Sequence, residues 1–186
     1  MAFTSPRLGE FDAVTRVKVI PLWGGKLGVR KILSVMARLV KDSYRHPQIK
    51  QAAIRITAGT PPGNIDAIIN QIAYATKSGF EYSRDNRSAE EISTPLVHSI
   101  RYLSAGKTWG DCDDLAVWQA AIARSIGLIP RFVAIATGSD PANKSRLNHV
   151  RTEILNTEFP RKESRWVSLD SINPNASEYG RLVWKI

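Results

Sequence analysis

The sequence has a single cysteine among its 186 residues, so it cannot form an internal disulfide, as is usual in a reducing compartment. It also lacks any run of about 18 uncharged apolar residues, which excludes a membrane-spanning helix. The first residues, MAFTSPRLGEFDAV, contain no apolar segment of the kind that a signal peptide needs. We therefore expect no membrane span and no signal peptide.

Patterns for metals and phosphates are missing as well. The cysteine and the three histidines have no ligand-pair spacing typical of zinc sites. The stretch DCDD (111–114) lacks the glycine-turned loop of a calcium site. GTPPG (59–63) lacks the lysine and the following helix pattern of a phosphate-binding loop. The sequence thus predicts no cofactor and no bound metal.

What the chain does have is positive charge, and it is unevenly placed. The formal net charge is +9, and residues 1–60 contain 11 Lys and Arg against three acidic residues. These basic residues are spread out, which is typical of a solvated helix face. The other interpretation is a surface that meets nucleic acid, anionic lipid or an acidic partner. No aromatic-rich strand platform accompanies them, so sequence-specific nucleic-acid recognition is not supported.

Hydrophobic periodicity predicts helices first and strands later in the chain. Residues 1–25 are expected to be irregular, and 80–95 to be an extended polar connection. Two predicted helices cover 26–44 and 47–57. A third begins after a cap at Asn64, and a fourth begins at Pro95. A fifth runs from Cys112 to a stop at Gly127. The predicted strands are 131–136, 149–155 and 165–170.

This order of elements favours an α+β fold, with a helix leading into an antiparallel sheet. We divide the chain into a basic N-terminal helical region (1–77) and a second domain (78–186). No linker rich in Gly and Ser separates the two, so we expect one compact unit.

Cys112 is placed at the first turn of a predicted helix. Free backbone N–H groups and the helix dipole favour an anion there, which raises the thiolate fraction, and the same N–H groups can hold an oxyanion. Asp111, Asp113 and Asp114 oppose the thiolate by their charge, although aspartate is also common at helix starts. Taken alone, such a cysteine is more commonly a small buried hydrophobic residue.

His149 strengthens the case for chemistry. The segments HVRTEIL and RWVSLD are predicted to form an antiparallel hairpin. Pairing Leu155 with Arg165 or Trp166 brings His149 within about two residues of Asp170. A carboxylate on one imidazole nitrogen, with the other nitrogen facing a thiol, activates a cysteine nucleophile. The other histidines, His46 and His98, lie in helical segments where we expect no such partner.

Together, GDCDDLAVWQAAIARSIGLIPRFVAIA, HVRTEI and WVSLD resemble the transglutaminase-like superfamily of papain-related folds. The GDCDD form is similar to a group common in bacteriophage genomes. The resemblance covers about residues 78–172 and, more weakly, the helices of 26–76. It implies a helix-rich N-terminal half packed on a small antiparallel sheet.

By this resemblance Cys112 is the nucleophile, His149 the base and Asp170 the residue that orients the base. Trp109 and Asp111 are the candidates for an oxyanion donor or for the wall of the site, and a residue of 95–103 is a further candidate for the donor. The implied activity is cysteine hydrolysis or acyl transfer at an amide or peptide bond. The substrate would be a protein side chain, a peptide bond or a peptidoglycan crosslink.

A second interpretation belongs to a different class. The resemblance to phage proteins also fits a structural or assembly protein of a virion head or tail, in which the fold is a binding module with little or no catalysis. Its partners would then be other virion proteins. The expected location is the cytoplasm of a bacterial host or the virion.

Overall fold

The computed structural model describes residues 17–21, 25–84, 89–137, 147–158, 165–172 and 178–186. The helices are α1 (Gly25–Ser43), α2 (Pro47–Ile56), α3 (Ile65–Gly79), α4 (Pro95–Ala105) and α5 (Cys112–Ser125). The strands are β1 (Val17–Pro21), β2 (Phe80–Tyr82), β3 (Ala89–Ser93), β4 (Thr108–Gly110), β5 (Pro130–Thr137), β6 (His149–Asn156), β7 (Arg165–Ser168) and β8 (Glu178–Lys185).

The strands form three sheets. Four of them make an antiparallel sheet in the order β7-β6-β5-β8. β1 pairs with β3 antiparallel, and β2 pairs with β4 in a short parallel ladder. The fold is therefore α+β, with a helix-rich first half and a small antiparallel sheet, as the sequence predicted.

Helix boundaries follow the local signals of the sequence. The Asn64 side chain accepts a hydrogen bond from the backbone of Ala67 at 2.8 Å and so caps α3. Thr94 caps α4 in the same way, and Pro95 follows it as the first residue of the helix. At its other end α4 is followed by Gly106, whose φ is +71°. Gly127, with φ of +86°, follows the last turn of α5, which confirms the predicted stop.

Helix α5 is the centre of the hydrophobic core. Every residue from Leu115 to Ala123 is buried, which a surface helix with one apolar stripe would not show. Trp118 is fully buried, and its indole Nε1 donates to the Ser99 hydroxyl at 3.2 Å. On the sheet side, Thr152 Oγ1 donates to the Ala116 carbonyl at 2.7 Å. These contacts fix the helix between the other helices and β6.

Three predictions about elements were wrong. The stretch 80–95, expected to be a polar connection, contains β2 and β3, and β1 lies within the segment expected to be irregular; residues 1–16 and 22–24 of that segment lie outside the described residues. No strand was predicted after residue 170, yet the eight-residue β8 forms six residue pairs with β5. From Gly180 to Lys185, β8 alternates between half-buried and exposed positions, whereas most of β5 is buried. The division at residue 77 stays a prediction.

Candidate active site

Cys112 is the first residue of α5, and hydrogen bonds on both sides define that start. Asp111 is the N-cap, and its Oδ1 accepts from the backbone N–H of Asp113 at 3.1 Å. In return the backbone N–H of Asp111 donates to Oδ2 of Asp114 at 3.3 Å. This reciprocal pattern is a capping box. It confirms the predicted position of Cys112 in the first turn of a helix.

The Asp114 carboxylate also ties the start of α5 to other elements. Its Oδ1 accepts from the backbone N–H of Ser93 at 2.7 Å and lies 3.4 Å from Nε2 of His98. The other ring nitrogen of His98 lies 2.8 Å from the Thr108 hydroxyl. The expectation that His98 has no acidic partner was therefore wrong. No local pattern marks the pair, because the two residues are brought together only by the packing of α4 on α5.

Asp113 is buried like Asp111 and Asp114, but among the described residues its carboxylate alone of the three accepts no hydrogen bond. Neither carboxylate oxygen accepts a hydrogen bond from any residue that the structure describes. Burial raises its pKa well above the ordinary value, and the charges of Asp111, Asp114 and Cys112 add to this rise. A protonated Asp113 can donate to the Asp111 carboxylate, which favours retention of the proton.

The three aspartates are the described residues that could hold a hard cation. One carboxylate oxygen from each lies within 4.8 Å of the others, and oxygen ligands suit Ca²⁺ or Mg²⁺. However, oxygens of Asp111 and Asp114 already accept backbone hydrogen bonds, and the positive end of the helix dipole disfavours a cation. The arrangement serves as a helix cap first.

His149 and Asp170 form a short, buried pair. Nε2 of the imidazole lies 2.6 Å from Oδ2 of Asp170, and both side chains are less than 10% exposed. The pairing of Leu155 with Trp166 in the β6–β7 hairpin agrees with one of the two predicted registers. The second oxygen of Asp170 accepts from the backbone N–H of Ile172 at 3.0 Å, which fixes the carboxylate.

A narrow, shallow crevice is lined by both Asp170 and Cys112. Its described wall consists of Cys112, Leu115, Ala116, Gln119, Val150, Arg151, Asp170 and Ile172. His149 is not among these residues, but its ring contacts one of them, Asp170. Gln119 holds the two sides together, because its Nε2 donates to the Leu169 carbonyl at 3.0 Å and to the Thr76 hydroxyl at 2.9 Å.

Trp109 and Asp111 lie close to Cys112 in sequence but do not belong to the described crevice wall. Trp109 is 47% exposed, and the Arg101 guanidinium carbon lies 4.0 Å from the centroid of its ring. The Asp111 carboxylate is an acceptor at the helix start and cannot itself donate to an oxyanion when ionised. Their roles as oxyanion donor or site wall stay predictions.

Sequence reasoning missed a group of charges on the sheet. The Glu153 carboxylate on β6 accepts hydrogen bonds from three guanidinium groups, at 2.6 Å from Arg131, 2.7 Å from Arg151 and 2.8 Å from Arg181. Burial works to raise the pKa of Glu153, but the bonds from Arg151 and Arg131 and the charge of Arg181 outweigh it and hold the pKa below its usual value. Only the alternation of strand residues could have placed Arg151 and Glu153 on one face of the sheet.

One comparison with known protein families agrees with this fold. The family model of the transglutaminase-like superfamily matches residues 50–171. No curated protein sequence matches the chain. A solved structure of a proposed protease from Parabacteroides distasonis is 12% identical, with a TM-score of 0.45 over 79% of this chain. The chain spans about 30% of that protein's length. No helix formed by the described residues has the length and apolar character to cross a membrane.

Proposed function

The chain belongs to the transglutaminase-like superfamily, and on that premise we propose that it is a cysteine hydrolase or acyltransferase acting on an amide or peptide bond. Cys112 is the nucleophile, His149 the base and Asp170 the residue that orients the base. The observation that carries this proposal is the 2.6 Å contact between His149 and Asp170, whose carboxylate lies on the same crevice wall as Cys112.

The contact between Asp170 and one ring nitrogen of His149 supports a role for the other nitrogen in the chemistry. Asp170 occupies Nε2, so Nδ1 is the nitrogen that exchanges a proton with the thiol. The Asp170 carboxylate stabilises the imidazolium that results, and its bond from Ile172 keeps it in place. The position of Cys112 at the first turn of α5 favours the thiolate partner of this ion pair.

The reaction then proceeds in two steps. The Cys112 thiolate attacks the carbonyl carbon of the amide, a C–S bond forms, and the C–N bond breaks as the His149 imidazolium gives its proton to the leaving amine. In the second step His149 takes a proton from water or from an acceptor amine, which attacks the thioester and releases the thiolate. Water gives hydrolysis, and an amine gives acyl transfer.

Cys112→Ala and His149→Ala test this function. A library of peptide amides and peptidoglycan fragments, incubated with the protein and followed by mass spectrometry, should show turnover by the wild type and none by Cys112→Ala. Because the chain has one cysteine, alkylation by iodoacetamide at pH 6 reports on that thiol alone. We expect alkylation to slow in His149→Ala but not in His46→Ala, the matched control. Turnover that survives Cys112→Ala would disprove the assignment.

A second candidate function rests on the exposed side of α1. Arg30, Lys31, Arg38 and Lys41 are all exposed there, with Asp42 as the acidic neighbour. A basic helix face of this kind suits docking onto an acidic protein surface. We propose, as the alternative, that the chain is a phage head or tail component that binds its neighbours through α1.

Phage particles distinguish the two functions. If the protein acts as a binding module, particles with Cys112→Ser remain infectious, and a variant with Arg38 and Lys41 changed to Glu fails to assemble. If the protein acts as an enzyme, Cys112→Ser particles assemble but lose infectivity.

A further inference from the structure

Asn148, the residue before His149, binds the end of the neighbouring strand β5 through its side chain. Its Oδ1 accepts from the backbone N–H of Thr137 at 2.8 Å and from the Thr137 hydroxyl at 3.1 Å. Its Nδ2 donates to the Thr137 carbonyl at 3.0 Å. The side-chain amide of Asn148 therefore pairs with the backbone of Thr137 as a peptide group of an adjacent strand would.

The backbone of Asn148 is bound to the same strand. Its N–H donates to the Ile135 carbonyl at 3.0 Å, and Ile135 is the residue that pairs with His149 in the β5–β6 ladder. His149 is also the first residue of β6. The hydrogen bonds of Asn148 to Ile135 and Thr137, called here the Asn148 clamp, thus close the ladder at the end of β6 that carries His149.

The other ladders of this sheet support that end of β6 less directly. The β6–β7 ladder runs from Glu153 to Asn156, so β5 is the described strand that pairs with His149. On its far side, β5 shifts register with β8 between Ile135 and Thr137. An irregularity of this kind interrupts a ladder and bends the strand. The Asn148 clamp therefore holds β5 to β6 at the point where the pairing of β5 with β8 is irregular.

The placement of His149 matters because its ring has to meet Asp170. Nε2 of the ring lies 2.6 Å from Oδ2 of Asp170, and Asp170 lines the crevice together with Cys112. Asn148 is exposed and does not belong to the described crevice wall. The route that these contacts provide from Asn148 to the thiol is therefore the backbone of His149.

We propose that Asn148 is a positioning residue, whose clamp on β5 fixes the backbone of His149 and so holds the imidazole in place against Asp170. The inference rests on the proposed function and goes beyond it, because it assigns a role to a residue outside the Cys-His-Asp triad. A misplacement of about 1 Å can lower the rate of an enzyme about 100-fold, so a few hydrogen bonds at a strand end are enough to affect reactivity.

Alkylation of Cys112 by iodoacetamide at pH 6 tests this role without knowledge of the substrate. Asn148→Ala removes all three side-chain bonds to Thr137 and should slow alkylation about tenfold. Asn148→Asp keeps the acceptor oxygen but loses the amide donor, so it should slow alkylation less. Thr137→Val loses only the hydroxyl bond and should have the smallest effect.

A second background separates positioning from a general loss of structure. If Asn148 acts through His149, Asn148→Ala should have no further effect on alkylation in a His149→Ala protein. Asn156→Ala is the matched control, because the Asn156 side chain makes hydrogen bonds at the other end of β6. It should leave the alkylation rate of the folded protein unchanged. Urea denaturation identifies the folded variants, and Thr137→Val serves if Asn148→Ala does not fold.

The outcomes separate the role of Asn148 from the proposed function. An alkylation rate that His149→Ala lowers but Asn148→Ala leaves unchanged would overturn the positioning role alone. So would an equal slowing by Asn148→Ala with and without His149, or a similar slowing by Asn156→Ala. A rate that His149→Ala leaves unchanged would overturn the proposed function, and the positioning role with it.

Discussion

Nε2 of His98 lies 3.4 Å from Oδ1 of Asp114, and both side chains are buried. This pair joins α4 to the first turn of α5, and Asp114 in turn accepts from the backbone of Ser93 on β3. The position of Cys112 is therefore set by a buried polar network and not by an exposed loop. Buried networks of this kind are costly to disturb, because each lost partner leaves an unpaired polar group.

Gly110 lies directly against the Asp114 carboxylate of that network. A Cβ atom there would lie 2.1 Å from Oδ2 of Asp114, and the φ of +156° disfavours other residues. We expect Gly110→Ala to displace the carboxylate, to lower the free energy of unfolding by roughly 1–3 kcal/mol and to slow alkylation of Cys112. Urea denaturation and iodoacetamide kinetics measure the two effects.

The control for Gly110 is Gly59→Ala, since Gly59 also has a positive φ but no atom within 4 Å of a Cβ. Gly59→Ala should lower the free energy of unfolding only by the backbone strain, and it should leave the alkylation rate of Cys112 unchanged. Equal rates in the two variants would show that the contact between Gly110 and Asp114 does not position the cysteine.

Asp113 should make stability depend on pH. Because burial raises its pKa in the folded state, the unfolded chain releases this proton more readily. Stability is therefore full below the ordinary carboxyl pKa and decreases as the pH rises toward the folded-state pKa. Asp113→Asn mimics the protonated form and should raise the melting temperature more at pH 8 than at pH 4.

The control for Asp113 is Asp42→Asn, a change at an exposed carboxylate on α1. It should show little difference between the two pH values. A larger gain at pH 4 than at pH 8 for Asp113→Asn would contradict the expected direction of the pKa shift.

Asp170→Asn should separate catalysis from folding. The amide keeps the size of the side chain and can still accept from Ile172, but it does not stabilise an imidazolium. We expect turnover to fall by roughly 10²–10⁴-fold, by analogy with other base-orienting carboxylates. Asp66→Asn is the control, because Asp66 accepts a hydrogen bond from Asn156 at the same sheet. Similar losses in both variants would argue against a special role for Asp170.

Truncating a buried side chain of α5 should lower stability without changing the reactivity of Cys112. Ile122 is fully buried, so Ile122→Ala is expected to cost about 2–5 kcal/mol in chemical denaturation. Ile54 is 57% exposed on α2, and Ile54→Ala should cost much less. The iodoacetamide rate of folded Ile122→Ala should match that of the wild type. A rate that falls with stability would mean that core packing also sets the reactivity of Cys112.

Local sequence signals predicted much of the fold. The cap at Asn64, the stop at Gly127 and the helix start at Cys112 depend on residues within a few positions of one another. The His149–Asp170 contact followed from a hairpin, in which strand register relates distant residues by simple geometry.

Contacts between separate elements were not predictable in this way. The pairing of His98 with Asp114 depends on how α4 packs against α5, and the type of neither residue predicts the contact. The three arginines that donate to Glu153 come from β5, β6 and β8, and β8 itself was not predicted. The short parallel ladder of β2 and β4 carries too few residues to show a pattern.

The side-chain amide of Gln119 connects the two sides of the crevice. Both of its amide hydrogens are used, one on α3 and one on the carbonyl of the residue before Asp170. Gln119 therefore links α5, whose first residue is Cys112, to α3 and to the segment that carries Asp170. Separating them would break a buried hydrogen bond, at a cost of about 1–3 kcal/mol. We therefore expect the separation of Cys112 and Asp170 across the crevice to vary little.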